Sequence, residues 1–164
     1  MFARLSAPLA GPLATLLAAL LFATHTAAAG PAPLPSSLRE TGGRPDLLYV
    51  VLFSLPDCPY CVAVRQAYLP ALPDDPRFRE RVRIREVGIG STRQLIDFDG
   101  QKTSHADVAR RLKVKFAPTV LFLDTSGQPR AEALLGGDSV GLYGGYLEKR
   151  VVQALEAIPA ARRD

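Results

Sequence analysis

The chain has no tryptophan, one methionine, two histidines and two cysteines among its 164 residues. Two cysteines cannot staple a small disulfide scaffold, and two histidines beside them leave few soft ligands for a metal cluster. Charged residues make up 22% and hydrophobic ones 48%, with a formal net charge of +4. That balance is too apolar and too weakly charged for an intrinsically disordered chain. Long hydrophobic runs are also missing. A membrane-spanning helix needs about 20 apolar residues, whereas the most apolar run, Leu13 to Ala23, is preceded by Pro8, Gly11 and Pro12 and ended by Thr24, His25 and Thr26. Apart from Phe78, between Arg77 and Arg79, aromatic residues do not interleave with the arginine run, so the positive excess does not read as a nucleic-acid surface.

Residues 1–29 carry one charge, Arg4. The run Leu13 to Ala23, followed by the small residues Ala27, Ala28 and Ala29, describes a cleavable signal peptide with cleavage near Ala29, an uncleaved anchor being the alternative. The chain is therefore expected to be exported. Residues 30–45 hold Pro31, Pro33, Pro35, Gly42, Gly43 and Pro45 and read as a linker with one short turn near Ser37 to Glu40. Residues 46–159 form the folded domain, and 160–164 a short tail.

Within the domain, Leu47 to Phe53 is a continuous apolar run suited to a strand buried on both faces. Pro59 to about Leu69 reads as a helix, which Pro70, Pro73 and Pro76 terminate. Arg81 to Ile89 is a second strand. The alternation Arg77, Arg79, Arg81, Arg83, Arg85 assigns its arginines to a solvent face or, alternatively, to a docking stripe for an acidic partner. A polar loop runs to Ser104, and Ser104 with Asp107 forms a capping signal for a helix reaching Leu112. Thr119 to Leu123 and Arg130 to Leu135 read as an antiparallel hairpin turned by Asp124 to Gly127. Leu147, Val151, Leu155 and Ile158 mark a last helix ending before Pro159. The order β-α-β-α-β-β-α gives an α/β domain with a central mixed four-stranded sheet flanked by helices.

Both cysteines lie in Asp57-Cys58-Pro59-Tyr60-Cys61, at the junction of the first strand and first helix. Residues i and i+3 on a helix stand about 5–6 Å apart at Cβ, so the sulfurs are close to bonding range. Pro59 fits the first helical turn, where its missing N–H costs nothing. The helix start, with its unpaired N–H groups, favours a thiolate at Cys58 over the free thiol value of about 8.5. Cys58 is then the nucleophile that forms a mixed disulfide, and Cys61, one turn inward, resolves it. Other readings stay open. A purely structural disulfide would close a loop too short to stabilise much. A zinc site has only Cys58, Cys61 and His105 as candidates, short of the four ligands it needs unless two chains share it.

With Cys58-Pro59-Tyr60-Cys61 and Phe116-Ala117-Pro118-Thr119 in view, the sequence resembles the thioredoxin superfamily over residues 46–158. The resemblance implies a thioredoxin-like fold and a thiol-disulfide oxidoreductase without cofactor. It implies a redox-active Cys58–Cys61 disulfide, a cis-proline at Pro118, and active-site support from Pro59 and Tyr60. The backbone of Ala117 and the side chain of Tyr60 would meet an extended substrate segment. The signal peptide and the segment Gly136 to Leu147 are similar to exported bacterial members, nearest the SoxS and SoxW type of sulfur-oxidation systems. A periplasmic monomer follows, acting as reductant on a disulfide-bearing protein and recharged by a membrane electron donor. Tyr60 also matches the dipeptide common in glutaredoxins, which would mean glutathione-linked activity. A non-enzymatic redox-sensing module is the remaining alternative.

The sequence departs from thioredoxins in two places. Asp57 stands before Cys58, where its charge opposes a thiolate, and Leu47 to Phe53 contains no acid to accept the proton of Cys61. Among other residues, His105 shares a stripe with Val108, Ala109 and Leu112 and reads as a packed or capping histidine. Arg65 reads as solvated, Tyr143 and Tyr146 as helix packing, and Asp97 with Asp99 as a loop pair too poor in ligands for a metal.

Overall fold

A computed structural model describes residues 34–159 except Ser139. The segment assigned to a signal peptide and the C-terminal tail lie outside the described residues. Strand β1 (Leu48–Ser54) is buried at every position, the outcome required of an apolar run with neighbours on both edges and both faces. It pairs in parallel with β2 (Val82–Gly88) and antiparallel with β5 (Thr119–Leu123), which in turn pairs with β6 (Leu134–Leu135). The sheet order is β2-β1-β5-β6.

Alternate residues of β1 feed two cores. Leu48, Val50 and Leu52 join Val64, Leu69 and Phe122, with Leu147 and Val151 of the last helix, α4 (Tyr143–Glu156), on one face. Tyr49, Val51 and Phe53 join Leu38, Leu95, Phe98 and Val108 on the other. Burial of each large aliphatic side chain contributes about 1.5–3 kcal/mol, so this two-sided packing outweighs any local preference.

The first helix begins as α1 (Pro59–Ala63) and continues as a π-helical turn over Val64–Tyr68, where the Leu69 N–H donates to the Val64 carbonyl. The prolines then do not end helical structure outright. A short turn, α2 (Ala71–Asp74), accommodates Pro73 in its interior. Helix α3 (His105–Arg111) starts where the capping signal placed it, with the Ser104 hydroxyl accepting the Asp107 N–H at 3.1 Å.

Three expectations change. The stretch before Ser104 is not a plain loop: β3 (Gln94–Ile96) and β4 (Lys102–Ser104) form a small antiparallel sheet. The described part of the Pro/Gly-rich stretch is packed: Leu38 is fully buried, its N–H donates to the Ile96 carbonyl, and Ser37 bridges to Ile96. The arginines leading into β2 and within it do not form a solvent face. Arg81 donates to the carbonyls of Asp46, Leu155 and Ile158. Arg83 binds Glu40, and Arg85 binds the Leu38 carbonyl while lying over the Tyr49 ring. An edge strand has spare positions for such heads, and here they clamp the chain termini of the domain to it. Arg77, Arg79 and Arg81 all precede the strand itself.

Candidate active site

Strand directions gather the site at one end of the sheet. Ser54 closes β1 opposite Gly88 of β2, and Phe53 pairs with Thr119 at the start of β5, which pairs with Leu135 of β6. The loop Leu55–Asp57 leaves that end and delivers Cys58 as the N-cap of α1. Asp57 takes a left-handed backbone (φ 55°), a conformation that aspartate tolerates better than most side chains.

Cys58 and Cys61 are bonded to each other, with Cα atoms 5.2 Å apart. The two sulfurs differ in surroundings. Cys58 is partly exposed, and its Sγ accepts the backbone N–H of Cys61 at 3.1 Å. Cys61 is fully buried. An N–H aimed at Sγ from the first turn of a helix favours the thiolate, so the geometry activates the outer cysteine and shields the inner one.

The Ala117–Pro118 peptide bond is cis, Pro118 is buried, and its carbonyl accepts the Gly136 N–H at 2.8 Å, tying β5 to the segment after β6. Ala117 is half-buried. Pro59 and Tyr60 are exposed, Tyr60 by 61%. Gly137 lies against the Tyr60 ring so closely that a Cβ there would stand 2.7 Å from Cδ1. Tyr68 of the π-turn donates to Asp138 at 2.5 Å, and the other Asp138 oxygen accepts the Val140 and Gly141 N–H groups. These bonds hold the Asp138 carboxyl below its usual range, the Tyr68 hydroxyl giving the largest effect, and raise the tyrosine in turn. A chain of contacts thus runs from Tyr60 through Gly137 and Gly136 to Pro118.

Arg65 is not a solvated residue. Its guanidinium forks onto Glu86 (Nε to Oε2 2.8 Å, Nη2 to Oε1 2.5 Å), and the Ser54 hydroxyl donates to the same carboxylate at 2.5 Å. The bond to Glu86 raises the Arg65 pKa against the opposing effect of burial. Glu86 faces Leu52 in register, so an acid enters the layer beside the acid-free strand from its neighbour.

His105 is fully buried, and neither ring nitrogen has a hydrogen-bond partner. Burial lowers its pKa. Together with Val108 and Ala109, it packs as a neutral core residue. Tyr143 is buried and tilted against Tyr68, whereas Tyr146 is exposed rather than packed. Asp97 is buried and bound to Arg111, while Asp99 is exposed and only caps its own turn.

The missed contributors are Gly137, Asp138 and Tyr68. Their sequence signals were weak, a glycine pair and a tyrosine one helical stretch after the cysteines. Eight large apolar side chains stand exposed among the described residues, and all fall in the active-site loop and first helix, beside Pro118, or from Leu135 to Tyr146. A patch of this kind concentrated in one region marks a contact surface.

Comparison with known proteins bears on this arrangement. A family model described as a thioredoxin-like domain matches residues 34–149. Among solved structures, a thioredoxin of Malassezia sympodialis is 19% identical, with 67% of this chain and 76% of that one covered and a TM-score of 0.47. A thioredoxin of Fasciola hepatica is 18% identical (66% and 82% covered, TM-score 0.46). A thioredoxin-fold protein from Helicobacter pylori is 17% identical (68% and 81%, TM-score 0.47). Comparison with curated protein sequences gives no match. The chain belongs to the thioredoxin-like family. Its bonded Cys-Pro-Tyr-Cys pair on this fold makes it a thiol-disulfide oxidoreductase.

Proposed function

We propose that the protein works outside the cytosol as a reductant of a protein disulfide, with Cys58 attacking and Cys61 resolving. The observation that carries this reading is the asymmetry of the pair, a partly exposed Cys58 whose sulfur accepts a helix-start N–H beside a fully buried Cys61. In the reduced protein, the Cys58 thiolate attacks one sulfur of the substrate disulfide. A Cys58–substrate bond forms and the second substrate sulfur leaves as thiolate. Cys61 then gives up its proton and attacks Cys58 Sγ, which breaks the Cys58–substrate bond, restores the internal disulfide and releases the substrate reduced by two electrons, its two thiolates taking one proton from Cys61 and one from water. A membrane electron donor recharges the pair.

Tyr60 and the Ala117 backbone beside Pro118 receive the substrate segment, and the exposed apolar side chains around them suit a polypeptide. The apolar run and small residues before Gly30 support export to the periplasm. Likeness to the sulfur-oxidation type supports a protein of such a system as substrate. Because Tyr60 completes a glutaredoxin-type dipeptide, glutathione is the second reading.

The test is a trap. Cys61→Ser should accumulate a mixed disulfide with a protein when expressed in its own periplasm, and mass spectrometry of a glutathione adduct alone would establish the second reading. A reduction potential of about −200 to −270 mV fits a reductant, whereas a value near −120 mV would make the protein an oxidant.

A further inference from the structure

A groove of about 600 Å³ opens between α3 and the chain that follows β2. Its floor is apolar, made by Ile89, Ala106, Ala109 and Val114, and its rim carries Arg110, Lys113 and Lys115. Among the described residues no acidic side chain lines it. Arg110 is engaged by Asp107 at 2.6 Å, but neither Lys113 nor Lys115 has an ion-pair partner among the described residues. This contrasts with the arginines of β2, whose charges are spent on internal carbonyls and Glu40.

Two details mark the groove as more than a solvated helix end. Lys113 holds a left-handed backbone (φ 58°) at the end of α3, where its N–H donates to the Arg110 carbonyl and the Val114 N–H to that of Ala109. Glycine is the residue that fits such a position without strain. The position nevertheless carries a cation at the groove rim. The groove also shares the end of the sheet with the redox pair. The Ile89 N–H donates to the carbonyl of Ser54, four residues before Cys58. Lys115 stands three residues before Pro118, no more than about 11 Å along the chain.

We propose that this groove is a second docking point for the protein substrate and takes an acidic segment that carries an apolar anchor, near the reacting cysteine in the substrate's sequence. The inference rests on the oxidoreductase reading above. Its content is specificity: the disulfide end accepts a polypeptide, the apolar floor accepts one aliphatic or aromatic side chain, and the unpaired lysines select acidic neighbours. A polypeptide satisfies all three requirements at once, whereas an isolated anion would leave the floor unfilled. Charges on an accessible rim act mainly on the association rate and lose their influence as salt screens them.

The experiment uses synthetic disulfide-linked peptides that carry a Leu-Glu-Glu-Glu or a Leu-Gln-Gln-Gln block at increasing distances from the cysteine, with turnover driven by dithiothreitol. At low ionic strength the acidic peptide of best spacing should show kcat/KM about tenfold above its glutamine twin. The advantage should shrink in molar salt and vanish in Lys113→Glu/Lys115→Glu. That variant should turn over the glutamine peptides at the wild-type rate and melt at the wild-type temperature. Lys113→Gly/Lys115→Gln removes the charges without reversing them or straining the backbone, and should give an intermediate loss. Equal rates for acidic and glutamine peptides at every spacing, or the same loss on both peptides in the variants, would overturn the proposal. Failure to turn over any peptide would instead count against the oxidoreductase reading itself.

Discussion

Replacing Gly137 by alanine would place a Cβ 2.7 Å from Tyr60 Cδ1, 2.9 Å from its Cβ and 3.1 Å from its Cγ. Carbon atoms pack best at about 3.5–4.0 Å, so the overlap is roughly 0.4–1.3 Å against three atoms of one side chain. Rotating the ring cannot relieve all of it. The Tyr60 Cβ is fixed by the second residue of α1, so the helix start or the Gly136–Gly137 backbone must give way. Overpacking of this kind costs about 1–3 kcal/mol. Gly137 lies outside the left-handed region, and so alanine recovers about 0.4–1 kcal/mol by restricting the unfolded chain. The net expectation is a loss of about 1 kcal/mol, or roughly 4 °C in Tm for a domain of this size. Thermal unfolding of the oxidised protein reads it directly. Because Tyr60 flanks the redox pair, the shift should also lower kcat/KM for a protein disulfide more than for a small one. In a cycle with Tyr60→Ala, which removes two of the three overlapping atoms, the coupling should exceed about 0.5 kcal/mol. A Gly137→Ala protein that melts at or above the wild-type temperature with no coupling to Tyr60 would refute the contact and the role given to it.

Three other outcomes are expected. Arg81→Ala removes a guanidinium that bonds the carbonyls of Asp46, Leu155 and Ile158 and should cost about 2 kcal/mol, or roughly 8 °C in Tm, measured by calorimetry; a change under 1 °C would contradict the clamp. At Asp124, burial pushes the carboxyl pKa up, but bonds from Ser126, Gln128 and Arg130 outweigh it and hold the group below its ordinary value. Its stabilising effect is therefore complete above the unfolded pKa and is lost below about pH 4, as pH falls through the folded pKa. Asp124→Asn should flatten the acid limb of a stability-against-pH curve, and an unchanged limb would count against the assignment. Asp57→Asn removes a negative charge from the residue next to Cys58, so the Cys58 thiolate should form more readily when followed by its absorbance. A thiolate that forms less readily would mean that Asp57 supports it.

Much of the site was legible because its determinants are local. A buried apolar run, a helix-compatible proline and two cysteines three apart sit within fifteen residues, and Ser104 with Asp107 caps α3 by a four-residue pattern. The losses are non-local. Arg65 reads as solvated until β2 brings Glu86 beside it, twenty-one residues away. Arg81 looks like half of an alternating polar face, although its acceptors lie up to seventy-seven residues distant. Strands β3 and β4 have three residues each, too few for alternation to register, and are held by pairing with one another and with Ser37. The π-turn has no compositional mark, since it changes only which carbonyl the Leu69 N–H finds. Leu38 sits among prolines and glycines that disfavour regular structure but do not prevent packing.

In the proposed mechanism Cys58 is the attacking thiol and Cys61 the resolving one. Reduction of insulin by dithiothreitol, followed as turbidity, tests it most directly. The wild-type protein should accelerate the reaction, Cys58→Ser should return it to the uncatalysed rate, and Cys61→Ser should stall as a mixed disulfide through Cys58. A Cys58→Ser protein as fast as the wild type would contradict it.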